Sequence, residues 1–240
     1  MKIQNIKTRH FKPPRDDIND LLATIAPHMR EGSVVAISSK VLSICEGSCV
    51  DIESTNLKDL ITNESNRIIS FAKKRPTLTR KNDMLVEYGG VDNSKSSGYY
   101  ILLPRKPYKS AFIIWKKLRK MRGIKQLGVI ITDSHSAPFR KGSVGMAVAG
   151  YGFNPVNYFY PGVTSNLRAK KTQSITKMTD ALDSLAAAAT MEMGEGSDRT
   201  PVAVIDGVHH LEFFKKRYRP AVVRRFMYVR PENDVYQKLL

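Results

Sequence analysis

Three short segments far apart in the chain each set a carboxylate among glycines and other small residues: YGGVDNS (Tyr88 to Ser94), GVIITDSHSAPFRKG (Gly128 to Gly142) and MGEGSDRTPVAVIDG (Met193 to Gly207). Their acids, Asp92, Asp133 and Glu195, could hold a metal ion, and turns such as Gly196-Ser197 leave backbone N–H groups to face a phosphate. Convergence would need a cation, because at ~4 Å each pair would repel by roughly 4 kcal/mol at an effective dielectric of about 20. Oxygen donors without a supporting His or Cys cluster suit Mg2+ or Mn2+ better than Zn2+. Spacing alone leaves open the alternative of three unrelated loop acids.

Regular elements must bring these residues together. The β-branched run Val129 to Ile131 reads as a buried strand, Gly128 to Thr132, that delivers Asp133 into a polar loop. A strand from Met84 to Tyr88 leads through Gly89-Gly90 to Asp92, where the glycines either make a turn or let a ligand approach. A helix from Thr179 to Met193, alanine-rich at Ala186 to Ala189, ends at Gly194 beside Glu195. Around them the pattern predicts strands at Met1 to Ile6, Val34 to Ser38, Tyr99 to Leu103, Val144 to Ala149 and Val202 to Ile205. Helices are expected at Asp16 to Met29, capped by Asp16 or Asp17, at Leu57 to Lys73 and at Ser110 to Met121, with Trp115 on the buried face of the last. Asn154 to Gln173 reads as a long loop. Strands and helices mix without a βαβ rhythm, so the fold class is α+β.

Composition sets limits. The 240 residues include 39 Lys plus Arg against 22 Asp plus Glu, a net charge of +17 that would attract nucleotides, acidic cofactors or nucleic acid. No run of 18 apolar residues and no hydrophobic leader occurs, so no membrane span is expected and the cytoplasm is the expected location. Cys45 and Cys49 lack the partners of a zinc site and read as incidental thiols. Neither GxxxxGK[ST] nor GxGxxG is present, so neither a P-loop nor a Rossmann dinucleotide site is supported. His135 and Arg140 could contact a substrate phosphate or carboxylate, or could be a loop histidine and a surface ion pair.

The order of VAISSKVLSICEG (Val35 to Gly47), GGVDNS, GVIITDSHSAPFRKGSVGMAVAG and LAAAATMEMGEGSDRTPVAVIDG resembles the coenzyme F-420 γ-glutamyl ligase family over residues 5 to 207. The resemblance implies an α+β fold with mixed sheets and two intimately joined subdomains, paired as an intertwined homodimer with a nucleotide groove between subunits. It implies GTP, or ATP, and Mg2+ or Mn2+ in joining L-glutamate to the carboxylate of a deazaflavin precursor. Carried over by position, it makes Asp92, Asp133, Ser134 and Glu195 the metal shell, with Asp92, Asp133 and Lys40 catalytic. Nucleotide contacts fall on Arg9, His10, Phe11 and Lys12, on Ser39 and Lys40, on Lys95, and on Glu195, Gly196, Ser197, Asp198, Arg199, Thr200 and Pro201. Two positions depart from the family pattern: Ile44 stands where lysine is usual, and Lys95 where asparagine is usual.

The main expectation is thus a ligase domain at 1–207 followed by a basic, aromatic extension at 208–240. A folate or other pterin carboxylate is the alternative acceptor. The reading from another class is a catalytically inactive nucleic-acid-binding protein on the same fold, suggested by the rings and cations from Phe213 to Arg230.

Overall fold

The computed structural model describes residues 1–70, 77–93, 97–159, 177–196 and 198–236. The elements begin with β1 (Lys2–Ile6), α1 (Ile18–Ile25), β2 (Ser33–Ser38), α2 (Ser39–Glu46), β3 (Cys49–Asp51) and α3 (Leu57–Glu64). There follow β4 (Arg67–Ser70), β5 (Leu78–Lys81), β6 (Met84–Glu87), β7 (Tyr99–Ile101), α4 (Pro107–Arg122) and β8 (Leu127–Ser136). The chain continues through β9 (Ser143–Tyr151), β10 (Val156–Phe159), β11 (Lys177–Asp180), α5 (Ala181–Met193), β12 (Val202–Asp206) and α6 (Pro220–Met227).

A five-stranded sheet in the order β1-β12-β2-β8-β9 forms the centre, with β2 and β8 parallel and the other pairs antiparallel. The apolar runs of β2 and β8 have no polar face because both sides are covered. Val35, Ile37, Val129 and Ile131 join the core beneath α1, α2 and α4, whereas Val34, Ala36 and Ile130 meet α5. The helices are thus carried by a mixed sheet, as α+β requires. Smaller sheets, β3-β7 and β4-β5-β6, stand beside it, and β10 pairs with β11.

Several boundaries differ from expectation for local reasons. Asp17 caps α1 by accepting the Asn19 N–H, but the helix stops at Ile25 because Pro27 has no N–H to donate, and a 3-10 turn follows. The helix expected to reach Lys73 ends at Glu64, with Ser65 already extended, and the β-branched Ile68 and Ile69 enter β4. Residues 71–76 lie outside the described residues. In the expected loop from Asn154, Val156–Phe159 is a strand, and 160–176 lie outside the described residues. The strand carrying Asp133 does not end at Thr132: β8 continues to Ser136, paired with β9, so Asp133 is inside a strand. A bulge opposite Ile131 and Thr132 admits one extra residue, Val148, into β9.

Residues beyond Gly207 fold against the sheet. Asn154 N–H donates to the Glu212 carbonyl at 2.7 Å, Phe214 N–H to Gly152 at 2.9 Å, and the Tyr151 hydroxyl to the Tyr218 carbonyl at 2.6 Å. Phe214 and Tyr218 pack edge-on to each other, and Val223 of α6 is buried. Losing three such side chains removes about 1.5–3 kcal/mol each, comparable with a domain's whole stability. A chain cut after Gly207 is expected to lose its near-ultraviolet circular dichroism and precipitate. A soluble truncated form with the native spectrum would refute this.

Candidate active site

The candidate residues meet where β2 and β8 end side by side. Ser38 pairs with Thr132, after which β2 turns directly into α2 and β8 presents Asp133. Buried Ser39, at the first position of α2, hydrogen-bonds the Asp133 carboxylate, which also accepts the Ser134 N–H. Lys40, one residue further, reaches Asp92 with a 2.6 Å ion pair. Asp92 is held by two backbone bonds to Ile101, at 2.8 and 3.0 Å.

Gly89 and Gly90 serve the turn and its packing. Both have positive φ, and a Cβ on Gly90 would lie 2.5 Å from Leu103 Cδ1. Lys81, paired with Glu64 at 2.6 Å, donates to the Gly89 carbonyl and fixes the turn from below.

Glu195 arrives from the other side of the sheet. Asp133 and Ser134 point to opposite faces, as neighbours in a strand must, so Ser134 donates to Glu195 at 3.4 Å while Asp133 meets Ser39. Close approach of α5 makes this reach possible. Gly145 and Gly150 of β9 face α5, where a Cβ would come within 2.3 Å of Thr190 Oγ1 and 2.4 Å of Leu182 Cδ1. Asp183 accepts the Ala147 N–H at 2.7 Å and ties the start of α5 to the same strand.

The electrostatics are unbalanced. Burial, reinforced by the charges of Asp92 and Glu195, pushes the Asp133 carboxyl up to about 6 against the hydrogen bonds from Ser134 and Ser39. Lys40 is the ion-pair partner of Asp92 and leaves the half-buried Asp133 without its own cation contact among the described ion pairs. No group of three His, Cys, Asp or Glu among the described residues closes to metal-binding distances. The alternation of Asp133 and Ser134 is the reason, because it divides the acids between two faces of one strand end.

The N-terminal loop lies beside the turn after α5, since Thr8 N–H donates to the Arg199 carbonyl at 2.8 Å. Within the loop, Arg9 is engaged by Asp16 at 2.5 Å and Asp20 at 2.7 Å and stacks on Phe11 at 4.4 Å. The Arg9 contact holds the Asp16 carboxyl well below the usual carboxylate range. Phe11 is buried and Lys12 gives its N–H to Asp16, whereas the His10 side chain is exposed. Here the side chains of Arg9 and Phe11 build the loop. From the sequence Asp16 reads only as a candidate helix cap, and nothing there distinguishes Asp20.

Thr200 donates to the Met193 carbonyl at 2.6 Å, Arg199 has φ of 61°, and Pro201 accepts the Ser38 N–H, so the turn after Glu195 is anchored to β2. Gly196 and Asp198 belong to this turn; Ser197 and Lys95 lie outside the described residues. Ile44 is buried among core residues and does not reach the site. His135 follows Asp133 on the same face of β8, and Arg140 is exposed in the loop leading to β9. No described helix is long and apolar enough to cross a membrane.

Comparison with known proteins assigns the family. Residues 5–207 match the family described as F420-0:Gamma-glutamyl ligase. A coenzyme F420:L-glutamate ligase of Methanopyrus kandleri is 28% identical over 257 aligned positions, covering 99% of this chain and 98% of that protein. That alignment runs through the tail, for which the motifs alone offered no counterpart. The ligase of the same name from Methanocaldococcus jannaschii is 27% identical over 75% of this chain and 78% of its own length. One from Methanosarcina mazei is 35% identical over 55% of this chain and 52% of its own. With 5–207 accounted for by one family pattern, the chain belongs to the F420-0:gamma-glutamyl ligase family.

Proposed function

We propose that the chain is a nucleotide- and divalent-metal-dependent γ-glutamyl ligase that joins L-glutamate, through its amino group, to a carboxylate of a deazaflavin cofactor precursor. The observation that carries this reading is the meeting of Ser39, Lys40, Asp92 and Asp133 at the paired ends of β2 and β8. A carboxylate must gain a leaving group before an amine can displace it. Its oxygen attacks the terminal phosphorus of GTP or ATP, the bond to the bridging oxygen breaks, and the nucleoside diphosphate departs. The glutamate amine then attacks the acyl phosphate carbon, inorganic phosphate leaves with the electron pair, and the surplus amine proton passes to phosphate or solvent.

This chemistry needs no protein nucleophile, and the residues act by position and charge. Lys40, held on Asp92, would exchange that ion pair for a contact between its ammonium and an arriving phosphate oxygen. Ser39 orients Asp133, and the anchored 195–201 turn with the adjacent loop 9–12 offers the nucleotide a bed of backbone groups. Arg140 and His135 are the proposed contacts for the acidic acceptor. The oxygen donors of Asp92, Asp133, Ser134 and Glu195 are of the kind that Mg2+ or Mn2+ takes, and gathering them on one ion would require Glu195 and Ser134 to move toward the face of β8 that carries Asp133. When bound, such an ion neutralises phosphate charge and eases attack at phosphorus. An intertwined homodimer with the nucleotide between subunits belongs to the same proposal, and sedimentation at the assay concentration tests it.

The direct test incubates the protein with L-glutamate, GTP or ATP, Mg2+ or Mn2+, and either a deazaflavin or a folate acceptor. A gain of one glutamyl mass on the deazaflavin, dependent on both nucleotide and metal, is expected. A gain on folate alone would reassign the acceptor, and no gain on any acceptor would reject the ligase reading. Lys40→Met is expected to weaken binding of a non-hydrolysable triphosphate analogue by about tenfold or more, since it removes a charged hydrogen-bond donor. Unchanged affinity by titration would remove Lys40 from the phosphate site.

A further inference from the structure

The net charge of the protein is concentrated in two segments. Residues 105–125 contain nine Lys or Arg and no acid, and residues 208–230 contain seven Lys or Arg and one acid, Glu212. Together they account for +15 of the +17 carried by all 240 residues. The fold packs α6 against α4 and so joins the two segments into one surface. Of these cations, only Arg224, on Asp83, and Arg230, near Glu232, form ion pairs with carboxylates among the described residues.

This surface is remote from the acid cluster. Trp115 Nε1 donates to the Leu127 carbonyl at 2.9 Å, which sets the second half of α4 beside the start of β8. Asp133 lies six residues further along that strand, roughly 20 Å away at about 3.3 Å per residue. A role confined to holding the nucleotide of the ligase reaction does not explain the cations of the second half of α4 and of residues 215–217, which lie with the start of β8.

The geometry points to a nucleic-acid-binding face formed by Lys116, Arg119 and Lys120 of α4 with Lys215, Lys216 and Arg217 of the C-terminal segment. Two guanidinium groups lie over aromatic rings there, Arg119 at 4.4 Å from the Trp115 centroid and Arg217 at 5.3 Å from that of Phe112. Phe112 and Trp115 are themselves stacked at 6.1 Å. A guanidinium backed by a ring keeps its outer face for a nucleobase; Arg119 gives its Nε–H to the Ile124 carbonyl at 3.1 Å, which leaves its terminal N–H groups for phosphate, and the neighbouring lysines continue the row of charge. A lipid surface is the less suited occupant, since Val223 of α6 is buried and Phe226, though part-exposed, is held by ring contacts with Phe214 and Tyr218.

The test uses the full chain and fluorescein-labelled single-stranded RNA and DNA oligomers, read by anisotropy. If about four phosphates are neutralised, affinity should fall about fifty-fold between roughly 50 and 200 mM KCl. The quadruple variant Lys116→Gln, Lys120→Gln, Lys215→Gln and Lys216→Gln should bind at least tenfold more weakly while its glutamyl transfer is unchanged. A matched variant, Lys2→Gln, Lys58→Gln, Arg67→Gln and Lys177→Gln, should lose far less affinity. Equal losses from the two variants would overturn the proposal in favour of general charge attraction, and absence of salt-sensitive binding would overturn it outright. Co-sedimentation with phosphatidylserine vesicles but not with either oligomer would replace it with a membrane surface.

Discussion

Asparagine at position 133 is expected to stabilise the metal-free protein at pH 8 while lowering ligase turnover by about a hundredfold to a thousandfold, the usual cost of deleting a charge-stabilising group. The acid titrates near its ordinary 3.8 when unfolded and at about 6 when folded, chiefly because it is buried and secondarily because Asp92 and Glu195 are near. A raised carboxyl pKa means that its contribution to stability is fully present below about 4 and is lost as pH rises through about 6. Above that window the ionised acid costs on the order of 3 kcal/mol, which the amide avoids. Urea unfolding in chelator should therefore show wild type and Asp133→Asn alike near pH 4 and the variant more stable at pH 8. Added Mg2+ should raise the melting temperature of the wild type only. A variant that is less stable at pH 8, or that responds equally to Mg2+, would contradict this account of Asp133.

Gly145→Ala is expected to damage the site without touching any candidate ligand. The added methyl would sit 2.3 Å from Thr190 Oγ1 and 2.9 Å from the Ala186 carbonyl, so α5 must move away from β9. Overpacking of this kind costs about 1–3 kcal/mol. Its functional effect is larger, because Glu195 follows α5 and meets Ser134 only while the helix lies close. Turnover should drop at least tenfold, with displacements near 1 Å able to cost as much as a hundredfold. A crystal structure of the variant with the Ser134–Glu195 contact intact and turnover unchanged would disprove the link.

Much of the sheet was legible because its strands are buried on both faces and read as apolar runs, as in Val34 to Ile37 and Val129 to Ile131. The helix around Trp115 was equally clear from its spacing, and Trp115 is buried as that spacing required. Asp133 was legible as a candidate, but its place inside β8 was not. Asp133 to Ser136 is polar throughout and lacks the apolar–polar alternation expected of a half-exposed strand, and backbone pairing with β9 sustains the strand there. The helix overextended past Glu64 because Ile68 and Ile69 fit either period, and only pairing with β5 decides between them. Arg9 could be placed beside a nucleotide loop by resemblance, yet its binding to Asp16 and Asp20 depends on a loop path that no periodicity encodes.

The extra residue in β9 has a consequence for parity. Residues five apart on an uninterrupted strand face opposite ways, yet Gly145 and Gly150 both turn toward α5. Val148 supplies the half-period that makes this possible. Deleting that one residue would restore strict alternation and rotate everything before it by half a turn. The smooth seat for α5 would then be replaced by the side chains of Val144 or Met146, and the helix that carries Glu195 would have nowhere to dock. The position of Glu195 is thus governed by the length of a strand to which it does not belong.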